Sequence, residues 1–186
     1  MSKHTLEILF DSKARLKILK YLFRNSEALI TAKEISIRVQ EELSTTRKEL
    51  QKLEIMGLIK KSHINPSFEY LYELRDLVLK ASPAEKTRLI AQINSLGRIK
   101  LAIIAGIFID KENSDPLAVD IFLVGDDIEK RRLNQFLKTA EAEIGKEIRF
   151  ATMEKEEFKY RFSMFDRFVR VLIEGPHEKL INKLGI

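Results

Sequence analysis

Apolar residues recur every three to four positions along the first third of the chain. Over residues 12–25 they make one stripe, Leu16, Ile18, Leu19, Leu22 and Phe23. Lys13, Arg15, Lys17, Lys20 and Arg24 fall largely off it, so an amphipathic helix is predicted that stops at Asn25-Ser26. A short apolar link, Ala28-Leu29-Ile30, leads to Thr31-Ala32-Lys33-Glu34. That spacing is a capping box, in which the Thr31 hydroxyl accepts from the Glu34 amide while the Glu34 side chain reaches back. It opens a second helix, running to about Gln40 and burying Ile35 and Val39. A third helix is predicted from a Ser44 cap to Met56, with Gly57 as the left-handed residue that ends it. Residues 58–64 have the character of a strand or small hairpin, closed by Asn65-Pro66.

Short helices followed by a strand, with a tight turn between the second and third helix, follow the plan of a winged helix-turn-helix. In the third helix Leu43, Leu50 and Leu53 are assigned to the core. The opposite face carries Thr45, Lys48 and Lys52, flanked by Ser44, Arg47 and Gln51. Small hydroxyls at the start of a helix and basic groups beyond suit entry into a DNA major groove. Hydroxyls and free amides reach phosphates or base edges, Arg47 can fork onto a guanine, and Lys48 and Lys52 neutralise phosphates. Lys60 and Lys61 are assigned auxiliary phosphate contacts.

Residues 68–81 and 83–96 read as two helices broken at Ser82-Pro83, with Pro83 suited to a first helical position. Leu71, Leu74, Leu77 and Val78 form one apolar stripe, and Leu89, Ile90 and Ile93 another. Further on, the periodicity changes. Residues 98–108 and 118–126 are continuous apolar runs of buried-strand type, and residues 147–153 alternate as a third strand. An amphipathic helix over 127–144 turns Ile128, Leu133, Phe136, Leu137 and Ala140 inward. A helix over 154–164 and a Phe/Val-rich segment over 165–173 follow. The predicted class is α+β: a winged-helix domain at 1–66, a helical connector at 67–97, and a small α/β domain at 98–186.

Charge sharpens this division. The net charge is +5. Residues 1–64 hold 13 Lys and Arg against 8 Asp and Glu, residues 65–97 hold 4 against 4, and residues 98–186 hold 16 against 16. The whole excess lies in the first third, as a polyanion partner there would require. No Cys is present, which excludes disulfides, thiolate metal sites and a cysteine nucleophile. His4, His63 and His177 are too scattered for a metal site and are assigned to the surface. No apolar run approaches the roughly 20 residues that cross a bilayer. The first residues lack the apolar core of a signal peptide, so a cytoplasmic protein is expected.

The segment LSTTRKELQKLEIMGLIKK (43–61) resembles the recognition helix and wing start of ArsR/MarR-type winged-helix regulators. Leu50-x-x-Leu53-Glu54-x-x-Gly57-Leu58-Ile59 matches their usual helix end. Gln40 stands where such motifs commonly carry a turn glycine, and Thr46 stands at a usual apolar position. The predicted wing is short, which moves the expected contacts onto the third helix. Dimers are usual in this family, and a homodimer is the expectation the resemblance carries.

Residues 98–183 resemble a minimal nucleotidyltransferase of the polymerase β-like family. The shared features are a strand ending in Gly, then x-Val-Asp-Ile-Phe-Leu-Val-Gly-Asp, a helix and a strand. In that family a Gly-Ser cradles nucleotide phosphates. Carboxylates of an Asp-x-Asp, on one face of a strand, hold two Mg²⁺ with a third acid. Here the first position reads Gly106-Ile107 and the second Ala118-Val119-Asp120. Gly106 and Asp120 are therefore residual nucleotide-site positions, and one carboxylate cannot organise a two-metal centre. Glu147, Asp110, Asp115, Asp126 and Asp127 are the remaining acids within reach of such a site.

Together these features predict a DNA-binding transcriptional regulator with no cofactor and no catalytic residue. Its degenerate nucleotidyltransferase-like domain would serve dimerisation, contact with an unidentified protein, or sensing of a small-molecule effector. The alternatives are an active nucleotidyltransferase targeted by its winged helix, and a winged helix that binds protein.

Overall fold

A computed structural model describes residues 5–27, 29, 31–80, 83–109 and 115–186. His4, Ala28, Ile30, Ser82 and Asp110, to which the sequence assigns roles, lie outside them. The molecule is of mixed α+β class and divides into two compact units. One comprises Met1–Ser82 with Lys138–Glu147, the other Pro83–Leu137 with Ile148–Ile186. The division falls inside the connector segment 67–97.

The N-terminal unit runs through α1 (Thr5–Phe10), α2 (Lys13–Arg24), α3 (Ala32–Val39) and α4 (Leu43–Ile55). It continues with the strands β1 (Ile59–Lys60) and β2 (His63–Ile64) and the helix α5 (Leu71–Leu79). Ser12 caps α2 by accepting from the Arg15 amide at 3.1 Å. All five apolar residues of the predicted α2 stripe are buried, together with Ile35, Val39, Leu53, Leu58 and Val78.

The sequence misplaces two caps. Thr31 stands at the N-cap of α3, but its hydroxyl makes no capping hydrogen bond, so the predicted capping box is not closed. The N-cap of α4 is Glu42 rather than Ser44. Ser44 lies inside the first turn and its hydroxyl donates to Glu42 at 3.4 Å. The end of α4 follows the sequence closely. Gly57 has φ +87°, its amide donates to Glu54 (2.9 Å), and the Leu58 amide donates to Leu53 (3.0 Å). That pair of bonds is a Schellman motif, closed by packing of Leu58 with Leu53 in one cluster.

Between α3 and α4 the chain turns through Gln40, at φ +53°. A glycine would adopt this backbone without cost. The glutamine instead uses its side chain, whose amide donates to the Lys138 carbonyl at 3.0 Å. Segment 138–147 is held further by Asn25, which donates to the Gly145 carbonyl at 2.7 Å.

The second unit carries α6 (Pro83–Asn94), β3 (Arg98–Ala105), a 3₁₀ turn (Gly106–Phe108) and β4 (Ile121–Asp126). The helix α7 (Lys130–Ile144) begins here. β5 (Phe150–Met153), α8 (Lys155–Ser163), α9 (Arg167–Glu174) and β6 (His177–Asn182) follow. The sheet order is β5-β4-β3-β6, parallel between β4 and β5 and antiparallel elsewhere. β3 and β4 lie at its centre and are buried over most of their length, as their uninterrupted apolar runs predict. Phe122 anchors the core, its ring 5.9 Å from Phe158 and 5.7 Å from Phe168.

The strands are shorter than the sequence predicts. β3 gives way at Gly106 to the 3₁₀ turn, β4 starts only after Asp120, and β5 starts after Arg149. Glu147 therefore precedes the third strand, exposed. The Phe/Val-rich segment is the helix α9, with Val169 and Leu172 inward. α1 and β6 have no counterpart in the sequence reading. Each is six residues long, and in β6 only Ile181 is fully buried, so neither presents a periodic stripe.

Thr46 occupies the apolar position of α4 that the sequence flags. It is fully buried and, among the described residues, its hydroxyl has no hydrogen-bond partner. Burying a lone hydroxyl costs about 1–3 kcal/mol, so Thr46→Val is expected to raise stability by about 1 kcal/mol in urea unfolding. A loss of stability on that replacement would show that the hydroxyl is satisfied.

Candidate nucleic-acid interface

The buried side of α4 orients its exposed side. Thr46, Glu49 and Leu53, spaced by three and four, face the interior. Helical geometry then carries Ser44, Arg47, Lys48, Gln51 and Lys52 outward, and all five are exposed; Thr45 is half-buried beside them. Lys60 and Lys61, also exposed, lie in the β1–β2 hairpin. The structure thus places every predicted DNA-contacting residue on α4 or the hairpin of one unit.

Glu49 sets the position of the helix. Its side chain is 8% exposed and takes a hydrogen bond from Arg15 Nε at 2.7 Å and from Lys52 Nζ at 3.0 Å. Arg15 also donates to the Phe10 carbonyl at 3.0 Å, tying α2, α4 and the end of α1 together. Burial pushes the Glu49 carboxyl up, but the hydrogen bonds and charges of Arg15 and Lys52 outweigh it and hold it below the ordinary range. Lys52 is consequently shared between this carboxylate and solvent, with its side chain 57% exposed. Sequence reasoning missed Glu49, although an acid at i−3 from Lys52 on a helix was a visible pairing signal.

Not all of the basic excess faces outward. Arg15 pairs with Glu49, Lys17 with Glu41 at 2.7 Å, and Lys13 with Glu143 at 3.8 Å. Among the described residues none forms an ion pair with Arg47, Lys48, Lys60 or Lys61. Glu42 at the N-cap presents a carboxylate where a phosphate would approach the helix end. The exposed positive charge of this surface therefore lies further along α4 and on the hairpin.

The hairpin has a two-residue turn. Lys60 opposes His63, and Lys61 and Ser62 both take positive φ, +50° and +59°. This is the mirror-image turn that matches strand twist, usually built from Asn-Gly. A Lys in that conformation is strained and places a cation at the hairpin tip.

In the second unit Gly106, Asp120 and Arg149 form a separate cluster. Asp120 is 1% exposed. Its Oδ2 accepts from the Arg149 amide (2.9 Å) and Nε (3.2 Å); its Oδ1 accepts from Arg149 Nη2 (3.2 Å) and the Ile107 amide (3.3 Å). Gly106, at φ +52°, leaves room for this carboxylate, and a Cβ there would run into it. Both residual nucleotide-site positions are brought together by the fold, but around an arginine. Ala118 is buried nearby in sequence and Ile107 is buried in the turn. Among the described residues there is no group of three or more His, Asp or Glu that could hold a metal ion. His63 is exposed and His177 half-buried. Arg149 was not singled out by sequence, because its partner is 29 positions away.

Gly106→Ala and Arg149→Ala should each destabilise the protein, by about 2–4 kcal/mol, through a clash at Asp120 and a buried carboxylate left without its cation. Chemical unfolding of both variants checks this; changes under about 0.5 kcal/mol would show the cluster to be peripheral. For Glu49, a folded pKa below the unfolded one gives stability that is present above the ordinary carboxylate range, about 4.3, and is lost as pH falls through the folded value. Glu49→Gln should flatten the acid limb of the stability–pH curve, and an unchanged limb would contradict the pairing. Comparison with models of known families, with curated proteins and with solved structures returns no match.

Proposed function

We propose that the chain is a transcriptional regulator that binds double-stranded DNA through α4 and the β1–β2 hairpin. The observation that carries this reading is the asymmetry of α4. One side is fixed in the core by Thr46, Glu49 and Leu53, while Arg47, Lys48, Gln51 and Lys52 stand on the exposed side. The ArsR/MarR-like order of helices and hairpin supports a docking in which α4 enters the major groove. Arg47 and Gln51 then read base edges, Lys48 and Lys52 contact phosphates, and Lys60 and Lys61 reach the flanking backbone. Exposure of Tyr72 and Leu77 on α5 supports a homodimer formed through that helix.

For the second unit the reading is a nucleotidyltransferase-like domain without catalytic activity. The antiparallel β3–β4 pair and the parallel β4–β5 pair support the resemblance. The Asp120 carboxylate supports the loss of activity: four donors from Arg149 and Ile107 already occupy both of its oxygens. Among the described residues no helix is long and apolar enough to cross a membrane.

Titration of duplex DNA at several salt concentrations tests the reading. Several phosphate contacts require log K to fall steeply with log[salt], and Lys48→Ala, Lys60→Ala or Lys61→Ala should each flatten the slope by about one unit. Lys52→Ala should do so less, because Lys52 already pairs with Glu49. Salt-independent or absent association would overturn the DNA reading.

A further inference from the structure

The sheet of the second unit ends in two unlike edges. At one, β6 carries Glu178 and Lys179, Lys86 of α6 donates to Glu178 at 2.6 Å, and the register against β3 shifts between Ala102 and Ile103. Charged side chains, cover from a helix and irregular pairing are devices that keep an edge from recruiting another strand. At the other edge, β5 reads Phe150-Ala151-Thr152-Met153, with no charge, no proline and an unbroken register against β4. Among the described residues no strand pairs with its outer side. Phe150 is 43% exposed there, and Thr152 is exposed beside it. After β5 the chain folds back over the sheet, where Phe158 of α8 meets Phe122 of β4, leaving that side open. We propose that β5 pairs antiparallel with β5 of a second copy of this chain, across a two-fold axis, so that two four-stranded sheets become one.

The backbone sets the register. The Arg149 carbonyl accepts from the Ile121 amide at 3.1 Å, so residues 149, 151 and 153 turn their amides and carbonyls toward β4. Phe150 and Thr152 turn theirs outward. Extended backbone continues past the strand to Glu154, at φ −71° and ψ 153°. The register that engages both outward residues pairs Phe150 of each copy with Thr152 of the other, and each such pair exchanges both of its amide–carbonyl bonds. Ala151 then lies on the axis opposite its own copy, in the close non-hydrogen-bonded position, with Cα atoms about 4.5 Å apart. Its small side chain suits that approach. Phe150 and Thr152 become cross-strand neighbours on one face, an aromatic beside a β-branched side chain.

The flanks favour the same partner. Exposed Arg149 precedes the strand and exposed Glu154 follows it. An antiparallel copy brings each basic end to the other's acidic end, whereas a peptide of one charge sign meets repulsion at one of them. The pairing is distinct from the α5 contact proposed above and rests neither on it nor on DNA binding. A chain that uses both two-fold surfaces assembles beyond a dimer.

The full chain has no Cys, so one introduced thiol can link only to its own copy. Oxidation of Ala151→Cys with oxidised glutathione at about 100 μM protein should give a disulfide-linked dimer, because a self-opposed pair lies within disulfide reach. Thr152→Cys should link at least about tenfold more slowly, since its copies sit diagonally with Cα atoms about 7–8 Å apart. Adding Thr152→Pro to Ala151→Cys removes an outward amide without touching the β4 ladder, and should slow linkage by about tenfold as well. Phe150→Lys, which charges the edge, serves if the proline variant does not fold. Sedimentation velocity gives a second readout without a cysteine: the unaltered chain should associate with rising concentration, and Phe150→Lys should weaken that association by about tenfold or more. No linkage in a folded Ala151→Cys chain would overturn the proposal, as would linkage of Thr152→Cys at an equal or greater rate. So would linkage that survives the folded edge variants. An association that Phe150→Lys leaves unchanged overturns the β5 pairing and leaves the α5 contact standing.

Discussion

A single buried carboxylate organises the N-terminal unit. Glu49 is held between Arg15 on α2 and Lys52 on its own helix, with α1 joined through the Phe10 carbonyl. A charge this buried costs several kcal/mol unless it is paired and hydrogen-bonded, so rotations of α4 that expose its inner side break the pairing. The same constraint decides which residues of α4 face out. Ser44, Arg47, Lys48 and Gln51 are presented because Thr46, Glu49 and Leu53 are committed inward. Two ion pairs share this carboxylate: Arg15 anchors the helix, and Lys52 connects the anchor to the surface.

The second unit repeats this logic with a different outcome. Asp120 precedes a central strand, is buried, and is satisfied by Arg149 and by the turn after Gly106. A carboxylate at this position can help hold a cation from solution or take one from the chain. Here the chain supplies it, and the guanidinium links the entry to β4 with the residue before β5. The arrangement ties the entries of two neighbouring strands together with groups of the chain itself.

Much of this was legible from the order of residues, for reasons that can be assigned residue by residue. The α2 stripe from Leu16 to Phe23, the Gly57 stop of α4 and the apolar runs of β3 and β4 are local signals, and local geometry decided them. Caps were read less well. Thr31 and Ser44 carry the right side chains, but the backbone placed Glu42 at the start of α4 and left the Thr31 hydroxyl out of the cap. Long-range partners were not legible at all. The pairing of Glu49 with Arg15 spans 34 positions, that of Arg149 with Asp120 spans 29, and Gln40 reaches a carbonyl 98 positions on. Gln40 and Thr46 looked like departures from a motif; the structure gives the first a hydrogen bond and leaves the second as an orphan hydroxyl. The short elements α1 and β6 escaped because six residues carry too little periodicity to stand out.

The exposed side of α4, with the hairpin tip, is the surface proposed to meet DNA. Amide chemical-shift mapping of the ¹⁵N-labelled protein, titrated with duplex DNA, tests it most directly. Perturbations concentrated in residues 44–52 and 60–61, with those of the second unit unmoved, are the predicted result. Perturbations centred elsewhere, or none at concentrations where binding is saturated, would contradict it.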